Sequence, residues 1–270
     1  MTEANNLPAR GIWLYPDAPV DDLVEAVVEA DRGGIDEVWV ADEGVARDPW
    51  VVLAAAAVRT SRVRLGTGIT TAALRHPGAL GAAVSTLDEL SGGRAVLGLG
   101  VGGHESLGPF GITVDRPVAA VRDAVRTARA VIERRAADGY EPPRHGVPAR
   151  RVPVFVGAKG EQLNRMASRE ADGVFLSGFD LDALDAPVAW ARSARPVHVG
   201  LFASVRFRPD APVDPTSLIG SPAEVGRGMA RLVQRHRPET IGLALVDFDH
   251  PVDMVRRALE AFASLDALMR

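Results

Sequence analysis

The chain has 270 residues, 47% of them apolar and 24% charged, with a net charge of −4 and no cysteine. That length supports a sizeable core in one domain, and the apolar content excludes a disordered chain. Absent cysteine excludes disulfides, thiolate metal sites and cysteine nucleophiles, while near-neutral charge and few aromatic residues exclude a nucleic-acid surface.

Basic residues interleave with acidic ones, so no membrane-binding patch forms, and no run approaches the ~18 apolar residues of a membrane span. The first eleven residues hold no signal-peptide core, so a soluble cytoplasmic protein is expected. Along the chain, short β-branched runs alternate with longer stretches of helical spacing. Strands are predicted at residues 11–15, 37–41, 62–67, 95–100, 152–156, 173–177, 197–203 and 240–246. Helices are predicted between and after them, at residues 20–32, 49–59, 77–90, 117–135, 161–170, 181–193, 222–235 and 251–268. Proline opens several helices, and Asp48-Pro49 and Ser221-Pro222 set a capping residue just ahead of it. Eight β/α units with near-continuous apolar strands predict a parallel sheet buried on both faces. The expected fold is a single (β/α)8 TIM-barrel domain over residues 11–270, behind an N-terminal arm at residues 1–10. An open doubly wound sheet is the alternative, because pattern alone does not show closure. Segment 138–151 is expected at the bottom of the barrel, and segment 206–220 over its catalytic face.

Chemistry in such a barrel gathers where the strands end. After the second strand come Asp42 and Glu43. Adjacent carboxylates point different ways in extended chain, so one is expected to face the mouth. The plainer alternative has Asp42 capping a turn and Glu43 solvated. After the third strand, Gly66-Thr67-Gly68-Ile69-Thr70-Thr71 lets a ligand approach the backbone, or simply makes a tight turn. His76 precedes Pro77 at a helix N-terminus, where an anionic group is welcome, although a lone histidine is often an ordinary hydrogen-bonding residue. Strand four runs into Gly98-Leu99-Gly100-Val101-Gly102-Gly103, a literal G-x-G-x-x-G. Gly108, Pro109 and Gly111 oppose the helix that the dinucleotide fingerprint requires, which leaves a glycine-rich shelf beneath a flat ligand.

Gly157-Ala158-Lys159-Gly160 closes strand five ahead of a helix, a turn suited to an anionic tail. Lys159 is the one lysine among 31 basic residues. The alternatives are an exposed lysine in a plain turn and, last, a Schiff-base lysine, which in barrel aldolases projects from a strand into an apolar interior. Ser177 after strand six offers a hydroxyl to a ligand, or a cap. No metal site is expected.

Six stretches in order, VWVADEGVARDPW, RVRLGTGITTAALRHP, STLDELSGGRAVLGLGVGG, FGITVDRPVAAVRDAV, VPVFVGAKG and ADGVFLSG, resemble the luciferase-like monooxygenase superfamily. They are most similar to its branch using the deazaflavin coenzyme F420, typified by the methylenetetrahydromethanopterin reductases. Residues 219–224 resemble the start of that family's penultimate helix. The resemblance implies a bacterial-luciferase-like barrel that moves a hydride between F420 and a small organic substrate, without nucleic acid or membrane as partner. An FMN-dependent monooxygenase is the first alternative, and a barrel that binds a ligand without turnover the second. The resemblance further implies a non-prolyl cis peptide at Gly68–Ile69 behind the deazaflavin ring, with Asp42 near the ring's polar edge. Gly157, Ala158, Lys159 and Gly160 would receive the ribityl-phosphate side, and Thr70, Gly100, Gly102 and Ser177 complete the expected cofactor residues. Glu43 is the expected proton donor or acceptor, with His76 second, and a homodimer is the expected assembly. Four departures stand out. Trp13 and Glu43 occupy positions where the methanopterin reductases carry a glutamate and a histidine. Gly103 replaces a usual acidic residue, and the insertion after strand seven is cut down to residues 206–220.

Overall fold

The computed structural model describes residues 7–137, 139–146, 148–246 and 250–270. Its barrel strands are β1 (Ala9–Leu14), β2 (Glu37–Val40), β3 (Arg64–Thr67), β4 (Ala95–Gly100), β5 (Val154–Gly157), β6 (Gly173–Ser177), β7 (His198–Arg206) and β8 (Thr240–Leu245). Neighbours pair in parallel, and β8 pairs with β7 on one side and β1 on the other, which closes the barrel and excludes the open sheet. The helices following them are α1 (Val20–Arg32), α2 (Pro49–Ala57), α3 (Pro77–Ser91), α4 (Pro117–Glu133), α5 (Glu161–Glu170), α6 (Asp185–Ala191), α7 (Pro222–His236) and α8 (Pro251–Met269). Among the described residues, no helix is long and apolar enough to cross a membrane.

Local chemistry sets the boundaries. The Asp48 carboxylate accepts from the Trp50 and Val51 N–H groups at 2.8 and 3.4 Å, and Ser221 and Glu224 cap α7 reciprocally. β1 begins at Ala9, inside the expected arm, whose first six residues lie outside the described ones. β3 begins two residues later than predicted because the N–H groups of Ser61, Arg62 and Val63 all donate to the Asp31 carboxylate. The predicted helix at 181–193 splits into a 3-10 turn, Leu181–Ala183, and α6. Pro187 explains the split: it has no N–H to carry the helical ladder back to residue 183.

Both long loops are held by contacts that the sequence pattern does not show. In segment 138–151, Asp138 and Val147 lie outside the described residues, but Tyr140, His145 and Gly146 line a cavity of about 580 Å³ with His76, Ala82 and Ser85. Arg150 then reaches Asp88 and Glu89 in the last turn of α3, each at 3.1 Å, which holds the end of the segment at the bottom of the barrel. In segment 206–220, Ser217–Ile219 forms a short parallel strand beside Ser204–Arg206, and Pro215 accepts from the Leu181 N–H. That pairing draws the segment against β7.

Five aromatic residues fill the inside of the barrel. Trp39, Phe155, Phe175 and Phe202 pack with Val96, and Trp13 covers them. Phe175 and Phe202 stack at 4.2 Å, and Trp39 meets Phe155 and Phe175 at 5.4 and 5.2 Å. Glycines on facing strands make the room: a Cβ at Gly242 would stand 2.2 Å from the Phe202 ring, and one at Gly173 2.5 Å from Phe155. This plug is the floor on which the site above is built.

Candidate active site

The C-terminal ends of β1 to β6 surround a pocket of about 450 Å³. The Gly68–Ile69 peptide at its base is cis, as the resemblance implies. Two tryptophans hold this bulge. The Gly68 carbonyl accepts from the Trp13 indole N–H, and a Cβ at Gly68 would stand 2.7 Å from Trp39 and 2.8 Å from Trp13. The Ile69 side chain enters a slot that three glycines leave open. A Cβ at Gly100 would lie 1.7 Å from Ile69 Cδ1, one at Gly157 2.9 Å from the same atom, and one at Gly98 3.2 Å from Ile69 Cγ2.

The β4 glycines therefore make room for a side chain of the bulge, where a ligand shelf was expected. Gly100 does not line the pocket, whereas Gly102, Gly103 and Gly157 do.

One wall is acidic. Asp42 accepts from the Thr70 hydroxyl at 2.5 Å and from the Gly44 N–H at 3.4 Å. Thr70 is wholly buried, so its part is to fix Asp42. Asp42 and Glu43 both line the pocket, against the expectation that only one would. The chain has left extended geometry there, with Gly44 at φ +65°, and side-chain alternation no longer applies. Burial, then Glu105, then Asp42 push the Glu43 carboxyl up to about 7.

The facing wall carries Ala158, Lys159, Ser177 and Gly178. Lys159 is exposed, makes no ion pair among the described residues, and has its Nζ 3.0 Å from where a Gly178 Cβ would stand. Gly160 caps α5 through backbone alone and does not line the pocket. The helix's first N–H groups are thus left for a ligand.

His76 is not brought here. Its Nδ1 accepts from the Gly78 N–H at 3.1 Å as the cap of α3, and its ring lines the separate cavity beside Tyr140 and His145. A helix does begin directly after Gly103, against expectation, but it lasts one turn, His104–Leu107, before Gly108 and Pro109 turn it into a 3-10 segment. Ser106 stabilises it by accepting from the Gly103 N–H at 2.9 Å. This turn supplies two groups missed in the sequence: Ser106 in the pocket lining and Glu105 beside Glu43. Leu163 and Phe175 were missed too. Inward alternation along β6 was the available signal for Phe175.

Residues 5–205 match the family model described as luciferase-like monooxygenase. The chain is similar to a 5,10-methylenetetrahydromethanopterin reductase of Methanolobus tindarius, at 30% identity over 62% of this chain and 53% of the relative. It is also similar to an F420-dependent glucose-6-phosphate dehydrogenase of Kineococcus radiotolerans, at 33% identity over 59% of this chain and 53% of the relative. The matches thus span about half the length of these relatives. Among solved structures, the coenzyme F420-dependent tetrahydromethanopterin reductase of Methanopyrus kandleri superposes with a TM-score of 0.81 at 19% identity, covering 96% of this chain and 99% of that one. At that identity the likeness is one of fold.

Proposed function

Because the chain belongs to the luciferase-like monooxygenase family, we propose that it is an oxidoreductase that uses coenzyme F420 and a small organic substrate. One observation carries this reading. A single pocket joins a bulged apolar base, a cation without an ion pair among the described residues, and a carboxyl that titrates near neutrality. A flat ring with an anionic tail fits the first two, and a proton transfer at the substrate fits the third. The name of the Kineococcus relative includes F420, which supports the deazaflavin over FMN.

When bound, F420 supplies or accepts a hydride at its ring. The protein's own groups do the rest. Ile69, seated against Gly98, Gly100 and Gly157, would back the ring. Asp42, fixed by the Thr70 hydroxyl, would meet its polar edge. Lys159 and the first N–H groups of α5 would meet the phosphate, where ammonium and helix dipole both favour negative charge. Ser177 donates or accepts a hydrogen bond at the same wall, and Gly102 and Gly103 keep the approach free of side chains. Trp13 and Phe175, which line the pocket, would exclude water from beneath the ring. Glu43 gives a proton to the substrate, or takes one, and its pKa near the working pH suits either direction.

Side-by-side titration of the purified protein with F420 and FMN tests the proposal. Quenching of F420 fluorescence with tighter binding than FMN is the expected result. Tighter FMN binding would replace it with the monooxygenase reading, and binding of neither with that of a barrel without turnover.

A further inference from the structure

Helix α5 buries Leu163, Met166 and Ala167, and among them it buries an asparagine. Asn164 is 0% exposed, yet its Oδ1 has no hydrogen-bond partner among the described residues. Its Nδ2 donates to the Gly160 carbonyl at 2.9 Å and, at 3.5 Å, to the Ala158 carbonyl. The amide cannot be turned over, because Oδ1 would then face both carbonyl oxygens. A buried acceptor left unpaired costs stability, so an apolar side chain would serve the packing of α5 better. What Asn164 does supply is a hold on two carbonyls, and these lie on either side of Lys159.

Those carbonyls fix what the turn shows to the pocket. The Ala158–Lys159 and Gly160–Glu161 peptides are trans, so each N–H points opposite to its carbonyl. With the carbonyls drawn toward Asn164, the N–H groups of Lys159 and Glu161 point away from it. Gly160, at φ +77°, lets the chain turn between the two peptides. Its carbonyl also accepts from the Asn164 N–H at 3.2 Å, which ties the turn to the start of α5. Among the described residues, no protein group accepts from the N–H of Lys159, Gly160 or Glu161. Ala158, Lys159 and Leu163 line the pocket on this side, and Lys159 is the one cation in its lining.

We propose that Asn164 is a positioning residue for the anion end of the pocket. It holds the carbonyls flanking Lys159 inward, so that the N–H groups of Lys159 and Glu161 and the Lys159 ammonium are presented together to a phosphate ester. The N–H dipoles and the ammonium of one turn then act on the same oxygens. Without Asn164 the two peptides are free to rotate, and a carbonyl turned to the pocket repels the anion that Lys159 attracts. That the ester is F420 rests on the function proposed above, but the arrangement of the turn is a property of the protein alone.

The test begins without cofactor. Lys159 is the chain's one lysine, so protein labelled with 15N-lysine gives a single backbone amide resonance, that of the N–H in question. Inorganic phosphate is titrated against it, with ionic strength held constant by chloride. In the wild type the resonance is expected to move and saturate. Asn164→Leu keeps roughly the size of the side chain and removes its N–H donors. It should need roughly tenfold more phosphate, the worth of one hydrogen bond to a charged group, while its urea midpoint stays close to or above the wild-type value. Asn164→Ala should lose phosphate affinity equally at a lower urea midpoint, and it decides the matter if Asn164→Leu does not fold. Equal phosphate affinity in the wild type and a folded variant, or a wild-type resonance that ignores phosphate, would overturn the proposal. F420 affinity should fall in parallel, and that of its phosphate-free deazaflavin nucleoside should not. Failure of F420 to bind a protein that answers to phosphate overturns the function proposed above and leaves Asn164 in its role.

Discussion

Gly100→Ala tests whether the glycines of β4 exist for Ile69. The added Cβ would stand 1.7 Å from Ile69 Cδ1, while the next contacts, Ile69 Cγ1 at 3.1 Å and the Gly157 carbonyl oxygen at 3.5 Å, are tolerable. One atom carries the clash, and valine lacks that atom. Overpacking of this kind costs roughly 1–3 kcal/mol. The lower half of that range is expected, because Ile69 can tilt into the pocket. Tilting moves the clash to the place where the ring should lie, so Gly100→Ala should lose F420 affinity as well as stability. Ile69→Val alone should cost about 0.5–1.5 kcal/mol. The double variant should then be no less stable than Ile69→Val, a coupling of about 1 kcal/mol or more. Urea unfolding followed by circular dichroism reads the stability, provided the slope stays constant across the four proteins. Fluorescence titration reads F420 binding, which should recover in the double variant. Additive losses, or a Gly100→Ala protein unchanged in both assays, would refute the slot.

Three further outcomes follow from named contacts. Lys159→Ala should weaken F420 binding about ten- to a hundredfold, the worth of one charge-assisted contact, with less effect at high salt and with Lys159→Arg in between; unchanged affinity would remove Lys159 from the phosphate site. Glu43 titrates at about 7 when folded, above its unfolded value of 4.5, so the folded state keeps a proton that the unfolded state loses. Wild-type stability should therefore fall as pH rises from the unfolded value through 7, and Glu43→Gln should be relatively more stable above it by ~1–2 kcal/mol, after discount for solvent screening of a half-buried group. A parallel pair of stability–pH curves would contradict this. His76→Ala should cost roughly 0.5–2 kcal/mol through loss of the α3 cap and leave F420 affinity alone, so a cofactor-binding defect would return His76 to the site.

The barrel was legible because its signals are local. β-branched runs mark the strands, and Asp48-Pro49 and Ser221-Pro222 mark helix starts by hydrogen bonds that span a few residues. Asp42, Gly68 and Lys159 could be named because each sits directly at a strand end, where a barrel places its chemistry. What escaped depends on partners remote in sequence. The glycines at 98 and 100 look like a ligand loop until Ile69, roughly thirty residues earlier, is seen between them. His76 carries the same ambiguity in reverse: its place beside Pro77 suits an anion site and a helix cap equally, and only the short bond to the Gly78 N–H decides for the cap.

The central claim is that a deazaflavin lies on the Gly68–Ile69 bulge with its anionic tail at Lys159. A crystal structure of the F420 complex measures this directly. The account expects the ring over Ile69, its polar edge toward Asp42, and a phosphate oxygen within hydrogen-bond distance of Lys159 Nζ. A ring bound elsewhere, or a phosphate turned away from the loop between β5 and α5, would contradict it.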